Sequence, residues 1–432
     1  MPVRTLKATL RRLARLTIWR YRPAVIGVTG SAGKTSTKLA IKAVLERDRR
    51  VRAAAGNLNS DIGLPLTILG DWSAADLALI SRATPAGTKR LRKAGFWIKV
   101  IVLSLWRIIF ASRADYPEIL ILEYGADRPG DIKRLLNIAR PNISVITAIG
   151  DIPVHVEFYA GPEEVAREKG RLIEYLPSGG FAILNADDET VMNLQPRTRA
   201  HVMTFGFDKS AEVRISRFEN KIKDGQPSGI SFKLEHGSAV VPVRIDNVFG
   251  RAHAYAAGAA AAIGIAFGMN LVTISDALAR YAPPESRMQL LPGVKYTNII
   301  DDSYNASLIA MRSALETLRD LPAKRKVAVL GDMLEIGKYT PEAHEAVGRL
   351  AAKSADALFT VGPRAKFIAE AARGAGMKRT AIVSFDTADD ARAPVKDFIR
   401  KGDLILVKGS HSMELNKVVK DIKDQTPVIS PV

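Results

Sequence analysis

From Ala24 onward the chain alternates two hydrophobic rhythms. Short β-branched or continuous apolar runs, "AVIGVTG" (24–30), "EILILE" (118–123), "NISVITAI" (142–149) and "GFAILN" (180–185), punctuate it. Between them, helical spacing runs from Gly33 to about Leu45, from "PGDIKRLL", and through "GPEEVAREKGRLIEYL" (161–176). Strands separated by helices of this length predict an α/β fold with a parallel sheet covered on both faces. Residues 210–246 break the rhythm: polar strands with turns at "KDGQPSG" and "EHGS" predict a β appendage to the sheet, and Ala-rich helices follow at 251–268 and 272–281.

The paired prolines of "YAPPESRM" (281–288) stop the preceding helix and mark a linker. Beyond it a second α/β series begins: "YTNIIDD", "KVAVLGD" (326–332), "ALFTVG" (357–362), "AIVSF" (381–385) and "DLILVKG" (403–409). The predicted organisation is a basic segment over 1–22, a P-loop ATPase-type sheet domain over 23–284 and a Rossmann-like α/β domain over 285–432.

A chain of 432 residues that is 47% hydrophobic has room for two or three cores. It has no cysteine, which excludes disulfides, a thiol nucleophile and cysteine-ligated zinc, and suits a reducing cytosol. The net charge of +18 is concentrated. Residues 1–22 hold seven basic residues and no acid, residues 81–113 hold eight and no acid, and the rest of the chain holds 48 basic against 45 acidic residues. Such a local excess argues against a protein-wide nucleic-acid surface.

Both basic segments are also apolar. Val3, Leu6, Leu10 and Leu13 recur at helical spacing, and "GFWIKVIVLSLWRIIF" (95–110) sets Trp97 and Trp106 among aliphatic residues. Neither has the ~20 uninterrupted apolar residues of a membrane span, and neither resembles a cleavable leader. Two readings stay open for 1–22 and the insertion near 88–113. One is an interfacial basic surface facing anionic lipid at the inner face of a membrane; the other is a pair of helices packed on their own domain with solvated charges.

The chemistry begins at "GSAGKTS". Gly30 and Gly33 let backbone N–H groups approach phosphate, Lys34 reaches the terminal phosphates, and the Thr35 hydroxyl is suited to Mg²⁺. The usual P-loop spacing asks for Gly at position 28, where this chain has Val28 and carries Gly27 instead. Glu123 ends a strand at the edge where ligands bind open α/β sheets, a position for a carboxylate on Mg²⁺. By residue type alone His155, after the next strand, and Lys169, on the following helix, read no further than a structural histidine and a solvated lysine.

Nine ordered segments change that reading. "GVTGSAGKTST", "GNLNSDIGLPLTIL" (56–69), "LEYGADRPGDI" (122–132), "REKG", "LNADD" (184–188), "ESRM", "IDDSYNAS" (300–307), "VLGDMLEIG" (329–337) and "LVKGSHSME" (406–414) resemble the Mur ligases, most of all their D-alanyl-D-alanine-adding branch. The resemblance implies an ATP-dependent, ADP-forming amide ligase of peptidoglycan-precursor synthesis. In that chemistry ATP phosphorylates a peptide carboxylate and an amine displaces the phosphate. It implies ATP contacts from Gly30, Ser31, Ala32, Gly33, Lys34, Thr35 and Ser36, closed over by Arg287, Asp302, Tyr304 and Asn305. It implies one Mg²⁺ on Thr35 and Glu123, a second involving His155, and a carbamylated Lys169 at the metal site, so that Lys34, Glu123, His155 and Lys169 form the catalytic set.

Asn57 and Asn59 are implied to face the precursor peptide, and Lys408, Gly409 and Ser410 the incoming amine, D-alanyl-D-alanine or a relative. Asp332 and Glu335 share a family motif, with loop and helix-cap duty as the competing reading. The protein is expected to be a cytoplasmic monomer whose domains hinge near 283–288.

The chain departs from the family at several points. The resemblance covers about residues 23–422 and does not reach the separate N-terminal domain that holds the uridine diphosphate of the substrate, so an altered acceptor side is expected. Ala252, His253 and Ala256 replace the usual adenine-side residues, Ser307-Leu308 an Asn-Pro pair, and His411 an Arg. A ligase for another acceptor, similar to folate polyglutamate ligases, and a non-catalytic nucleotide-binding scaffold are the alternatives. The Mur-like partner of a glutamine amidotransferase is disfavoured, because its relatives carry a cysteine-ligated zinc ribbon.

Overall fold

The computed structural model describes residues 3–54, 56–80, 90–223 and 226–424. Arg82 and Lys89 of the second basic segment, the 224–225 centre of the "KDGQPSG" turn and the 425–432 end of the second domain lie outside the described residues.

The first half opens with α1 (Val3–Tyr21), β1 (Ala24–Thr29), α2 (Lys34–Leu45), β2 (Val51–Ala53), α3 (Gly63–Leu69), α4 (Ala74–Ile80) and α5 (Arg90–Phe110). It continues through β3 (Ile119–Glu123), α6 (Asp131–Leu136), β4 (Ile143–Ile146), α7 (Pro162–Glu174), β5 (Phe181–Asn185), α8 (Glu189–Met192) and β6 (His201–Gly206). The long strands β7 (Val213–Lys223), β8 (Gln226–His236) and β9 (Ala239–Asp246) follow, then α9 (Arg251–Ala266) and α10 (Leu271–Leu278). All nine strands form one sheet in the order β2-β3-β1-β4-β5-β6-β7-β8-β9. Pairing is parallel as far as β7 and antiparallel from β7 to β9, so the predicted appendage extends the main sheet rather than standing beside it.

The apolar strands are buried on both faces, and register shows how. Ile26 lies beside Ile121, and Val25 beside Leu120. The first pair faces the core that holds α2 and α9; the second faces the core that holds α6 and Leu172 of α7. Alternate side chains thus serve opposite layers. The alanines of α9 have the same cause: Ala256, Ala257, Ala259 and Ala260 are buried because the helix lies between α2 and strands β5 to β7, where larger side chains would force the layers apart.

The second half contains β10 (Gln289–Gly293), β11 (Thr297–Asp302), α11 (Leu308–Asp320), β12 (Arg325–Gly331), α12 (Thr340–Ser354) and β13 (Ala357–Val361). It ends with α13 (Lys366–Gly374), β14 (Ile382–Phe385), α14 (Ala388–Phe398), β15 (Asp403–Lys408) and α15 (Asn416–Ile422). Its six strands run in the order β10-β11-β15-β12-β13-β14, parallel except for β10. The sequence pattern does not announce β10, because "QLLPG" carries Pro292 and Gly293. A proline is tolerated there because the strand is at the sheet edge.

The two halves are not packed independently. Ile152, Val156, Tyr159, Val165 and Phe249 of the first share one apolar cluster with Met288, Leu308, Met333 and Ile336 of the second.

Both basic apolar segments are helices packed on the first half. Leu6, Leu10 and Leu13 of α1 meet Phe96 and Val100 of α5 and Leu66 and Leu69 of α3. Val3, expected on the same face, is 64% exposed. Tyr21 stacks on Tyr116 with ring centres 4.3 Å apart and donates its hydroxyl to the Arg107 carbonyl at 2.5 Å. Among the described residues no helix is long and apolar enough to cross a membrane.

Leu10 is fully buried in that contact whereas its neighbour Arg11 is exposed. Leu10→Ala is expected to destabilise the first half by ~2–5 kcal/mol, and Arg11→Ala by no more than ~0.5 kcal/mol, in urea unfolding followed by circular dichroism.

Candidate active site

In open parallel sheets ligands collect beyond the strands' carboxyl ends. Here the carboxyl ends of both sheets border one cleft of about 2270 Å³ that runs from the Gly33–Thr37 turn to the loop after β11 and to Lys408.

The phosphate-type loop joins β1 to α2. Gly30 sits at φ 148° and Gly33 at φ 82°, both in the region that favours glycine, and a Cβ at Gly30 would lie 2.1 Å from Thr147 Oγ1. Glycine at 30 is therefore a steric requirement. The loop is braced from β4: Ser31 N–H donates to Ala148 O at 2.6 Å, and Thr147 Oγ1 donates to Ala32 O at 2.5 Å. Asp188 holds the brace in turn, accepting from Ile149 N at 2.7 Å and Gly150 N at 3.0 Å while capping α8 through Val191 N. Thr147 and Asp188 went unread as site residues, although "LNADD" contains the aspartate.

The first intrahelical bond of α2 is Thr37 N–H to Gly33 O at 2.9 Å. Helix geometry leaves the preceding N–H groups, those of Lys34, Thr35 and Ser36, without a helical partner, an arrangement suited to phosphate. Lys34 is half-buried and turned back, its Nζ donating to Gly30 O at 2.7 Å. Burial pushes its pKa down, an effect opposed by the nearby Glu123.

Glu123 is at the carboxyl end of β3 and has no solvent exposure. Its Oε1 lies 2.8 Å from the equally buried Nζ of Lys38, which also donates to the Gly56 carbonyl at 2.7 Å. Oε2 has no hydrogen-bond partner. Lys38 is a site residue that sequence reasoning missed. The available signal was its position one helical turn after Lys34, on the buried face of α2.

His155, at φ 71°, bridges the two halves. Its Nε2 is 3.3 Å from Asp127 Oδ1, and its Nδ1 is 2.8 Å from Glu335 Oε2. Lys169 is 1% exposed and lines the cleft; burial and the Lys34 charge push its pKa down to about 7. Half or more of its population is thus the neutral amine above that pH.

Arg287 of the linker donates to Thr35 Oγ1 at 3.1 Å and lies over the Tyr304 ring, its guanidinium carbon 4.2 Å from the centroid. The expected closing residue therefore already reaches the phosphate-type loop. Lys408 Nζ is 2.6 Å from Asp302 Oδ2 and donates to Asn305 O at 2.9 Å, so Asp302 and Lys408 form a buried pair to which the exposed Asn305 adds its backbone carbonyl. Burial pushes the Asp302 carboxyl up, against the pull of Lys408. Asn305 Oδ1 is occupied by the Ala306 N–H, and Asp302 Oδ1 by the N–H of Met288 in the linker.

Ser410 accepts from Leu334 N at 2.9 Å, and Gly409 packs against Leu415 and Gly331, where a Cβ would come within 2.7 Å of Leu415 Cδ1. Asp332 caps the turn before α13 by accepting from Ala365 N at 2.7 Å, which is loop duty, whereas Glu335 reaches His155. Asn57 and Asn59 line the cleft, and Asn59 O accepts from Gly125 N at 3.2 Å. His253, which replaces a usual adenine-side residue, borders the cleft but is buried under the linker. Its Nε2 lies 3.0 Å from Arg287 O and its Nδ1 3.2 Å from the Tyr281 hydroxyl, and burial pushes its pKa down to about 4.

The donor set fits a cation in part. The Thr35 hydroxyl and the unpartnered Glu123 oxygen are hard oxygens suited to Mg²⁺. His155 lies close to two carboxylates, Asp127 and Glu335, but its buried Nδ1 makes no hydrogen bond, which leaves a ring nitrogen for a cation. Among the described residues no group of three or more histidines and acids forms a ready metal cage.

A glycine-braced strand-to-helix loop, a cleft lined by both acidic and basic side chains, and a second α/β unit that brings Lys408 to it across the linker carrying Arg287 fit an ATP-dependent ligase. The Mur ligase middle-domain pattern matches residues 28–81 and 103–264, and the Mur ligase glutamate-ligase domain pattern matches 286–411. The chain belongs to the Mur ligase family.

The UDP-N-acetylmuramoyl-tripeptide–D-alanyl-D-alanine ligase of Bacillus subtilis is 30% identical over 415 residues, covering 96% of this chain and 79% of its own length. The Escherichia coli enzyme of the same name is 29% identical, covering 98% and 83%. The fold matches Thermotoga maritima MurF in complex with ADP, with a TM-score of 0.76 at 24% identity over 96% of this chain and 83% of the other. A Yersinia pestis folylpolyglutamate synthase complexed with AMPPNP and manganese shares the fold more loosely, with a TM-score of 0.61 at 17% identity over 96% and 93%.

The buried ion pair yields a prediction. Lys38→Ala strands the Glu123 charge and is expected to cost ~3–5 kcal/mol. Adding Glu123→Gln to it should recover at least half of that loss in equilibrium denaturation.

Proposed function

We propose that this protein is an ATP-dependent, ADP-forming ligase of peptidoglycan-precursor synthesis that joins a muramoyl-tripeptide carboxylate to D-alanyl-D-alanine. The observation that carries the reading is the kinship with ligases of that name at 30% identity over 96% of the chain, continuous through the cleft-forming segments.

In this reading the substrate carboxylate oxygen attacks the γ-phosphorus of ATP, and the bond to the β-bridging oxygen breaks to release ADP. The amine nitrogen of D-alanyl-D-alanine then attacks the acyl carbon. The C–N bond forms, the C–O bond to phosphate breaks, and the amine gives up a proton. A carboxylate is a poor electrophile until one oxygen becomes a phosphate leaving group, so the protein's work is positioning and charge stabilisation. The free N–H groups of Lys34, Thr35 and Ser36 bind phosphate oxygens, and Lys34 swings from the Gly30 carbonyl to the terminal phosphate. Arg287, already on Thr35, adds charge from the linker side, with Tyr304 supporting its guanidinium. Mg²⁺ on Thr35 and the free Glu123 oxygen would neutralise phosphate charge, and Lys38 keeps the other carboxylate oxygen in place.

Lys169 is the residue we assign to carbamylation. A lysine attacks CO₂ only as the neutral amine, and a pKa of about 7 supplies that form near neutrality. Asn57 and Asn59 are assigned to the peptide side of the cleft, and Lys408, Gly409 and Ser410 to the amine side. Of these three, Lys408 acts through the buried pair it forms with Asp302. The same arrangement, with a hinge near 283–288, divides the protein into functional domains over 23–284 and 285–432.

The test is ADP release with the UDP-linked tripeptide and D-alanyl-D-alanine together, with omission of either as control. Turnover should need both, and Lys34→Ala should lower it by ~10²–10³-fold; an unchanged rate in that variant, or no turnover by the wild type on any muramoyl peptide, overturns the reading. For Lys169, isotope-labelled bicarbonate should give a carbamate signal in the wild type that is absent from Lys169→Ala. Added formate or acetate should restore part of that variant's lost activity.

A further inference from the structure

The surface built by α1 and α5 is unlike the rest of the molecule. Of the eighteen large hydrophobic side chains exposed among the described residues, ten lie on these two helices. On α5 they are Leu91, Ile98, Val102, Leu105, Trp106, Ile109 and Phe110, and after Leu91 they recur mostly at three- and four-residue steps. That spacing sets them on one stripe, opposite the face through which Phe96, Val100 and Ser104 are buried.

The helices lie side by side in the same direction. Their early residues meet through Leu6, Leu10 and Phe96, and their late residues through the Tyr21 bond to Arg107. Trp19, 70% exposed, and Trp106, 55% exposed, lie within two residues of that bond, so both indoles sit at the same end of the pair.

The two helices themselves carry charge of one sign, although Lys7 and Lys99 pair with Asp61 and Asp76 of neighbouring segments. Arg4, Arg11, Arg12 and Arg15 of α1 and Arg92 of α5 are exposed, and no ion pair involves them among the described residues. Residues 1–22 and 81–113 contain fifteen basic residues and no acid. The pattern of the family's middle domain skips 82–102, so most of α5 belongs to this chain's own elaboration.

A bilayer span is excluded for α5 by its five charged residues and by its buried face. A large exposed apolar face rimmed by arginine and carrying tryptophans is instead the composition of a helix that lies in a membrane interface. Self-association through the same face would bring two strongly basic surfaces together at a repulsive cost.

We propose that the outer face of the α1–α5 pair docks on the surface of an anionic lipid bilayer, with the α5 stripe and Trp19 entering the headgroup boundary and the α1 arginines contacting acidic headgroups. The cleft that begins at the phosphate-type loop is lined at its other end by Val3, Leu6, Lys7, Lys93 and Trp97. On α5, Lys93 and Trp97 are on the side of Phe96 and Val100, so the helix turns one face to the cleft and the other to the bilayer. This goes beyond the proposed ligase activity and does not depend on it.

The experiment is co-sedimentation of the full chain with vesicles of phosphatidylcholine alone or with about a third phosphatidylglycerol, at low and high salt, with the solution mass measured in parallel. Binding is expected to the anionic vesicles and to weaken with salt. Val102→Asp/Trp106→Asp/Ile109→Asp, all on the exposed stripe, should abolish it. Arg11→Gln/Arg12→Gln/Arg15→Gln should weaken it at least tenfold at low salt. Both variants should keep the wild-type unfolding midpoint, since none of these side chains is buried. No vesicle binding, equal binding to neutral vesicles, or a stable dimer lost in the aspartate variant would each overturn the proposal.

Discussion

Two opposite charges without access to water, those of Lys38 and Glu123, hold the centre of this structure together. Removing them from solvent is costly, and the cost is met only because the pair is close and the lysine finds a second acceptor in the Gly56 carbonyl. That geometry ties the end of β3 to the first turns of α2 and to the loop carrying Asn57 and Asn59. One carboxylate oxygen is left over, buried and unpartnered. A stabilising contact and an incomplete one thus share a single side chain.

The same economy of parts recurs where the halves meet. Arg287 on Thr35 and His155 between Asp127 and Glu335 are polar contacts over a shared apolar cluster. His253, kept neutral by burial, fastens the linker from below. The linker is therefore held by apolar burial of Met288 as well as by polar contacts, of which the one from Arg287 to Thr35 is at the cleft.

Much of the fold was legible because continuous apolar strands between helices admit few solutions. Ile26 and Val25 must both be buried, which requires layers on both faces of a parallel sheet. β10 was not legible, since Pro292 and Gly293 hide an edge strand whose pairing depends on a partner supplied from elsewhere. The tight strand-to-helix loop at Gly30 and Gly33 was readable, because its glycines answer a local need. Lys38, Thr147 and Asp188 were not. A buried lysine, a threonine on a neighbouring strand and an aspartate forty residues later look ordinary until the sheet brings them together.

By itself the sequence determined the class of fold, the phosphate-type loop, the local excess of positive charge and the family kinship, all of which depend on residue type, spacing and order along the chain. Only the tertiary structure decided that Glu123 is shared with Lys38, that Lys408 is buried on Asp302 and that His253 serves the linker. It also decided that one face of α5 is buried while the other stays open to solvent. The physical reason is the same in each case. Pairing, burial and exposure are relations between distant segments, and a side chain's protonation and partners follow from them rather than from its neighbours in sequence.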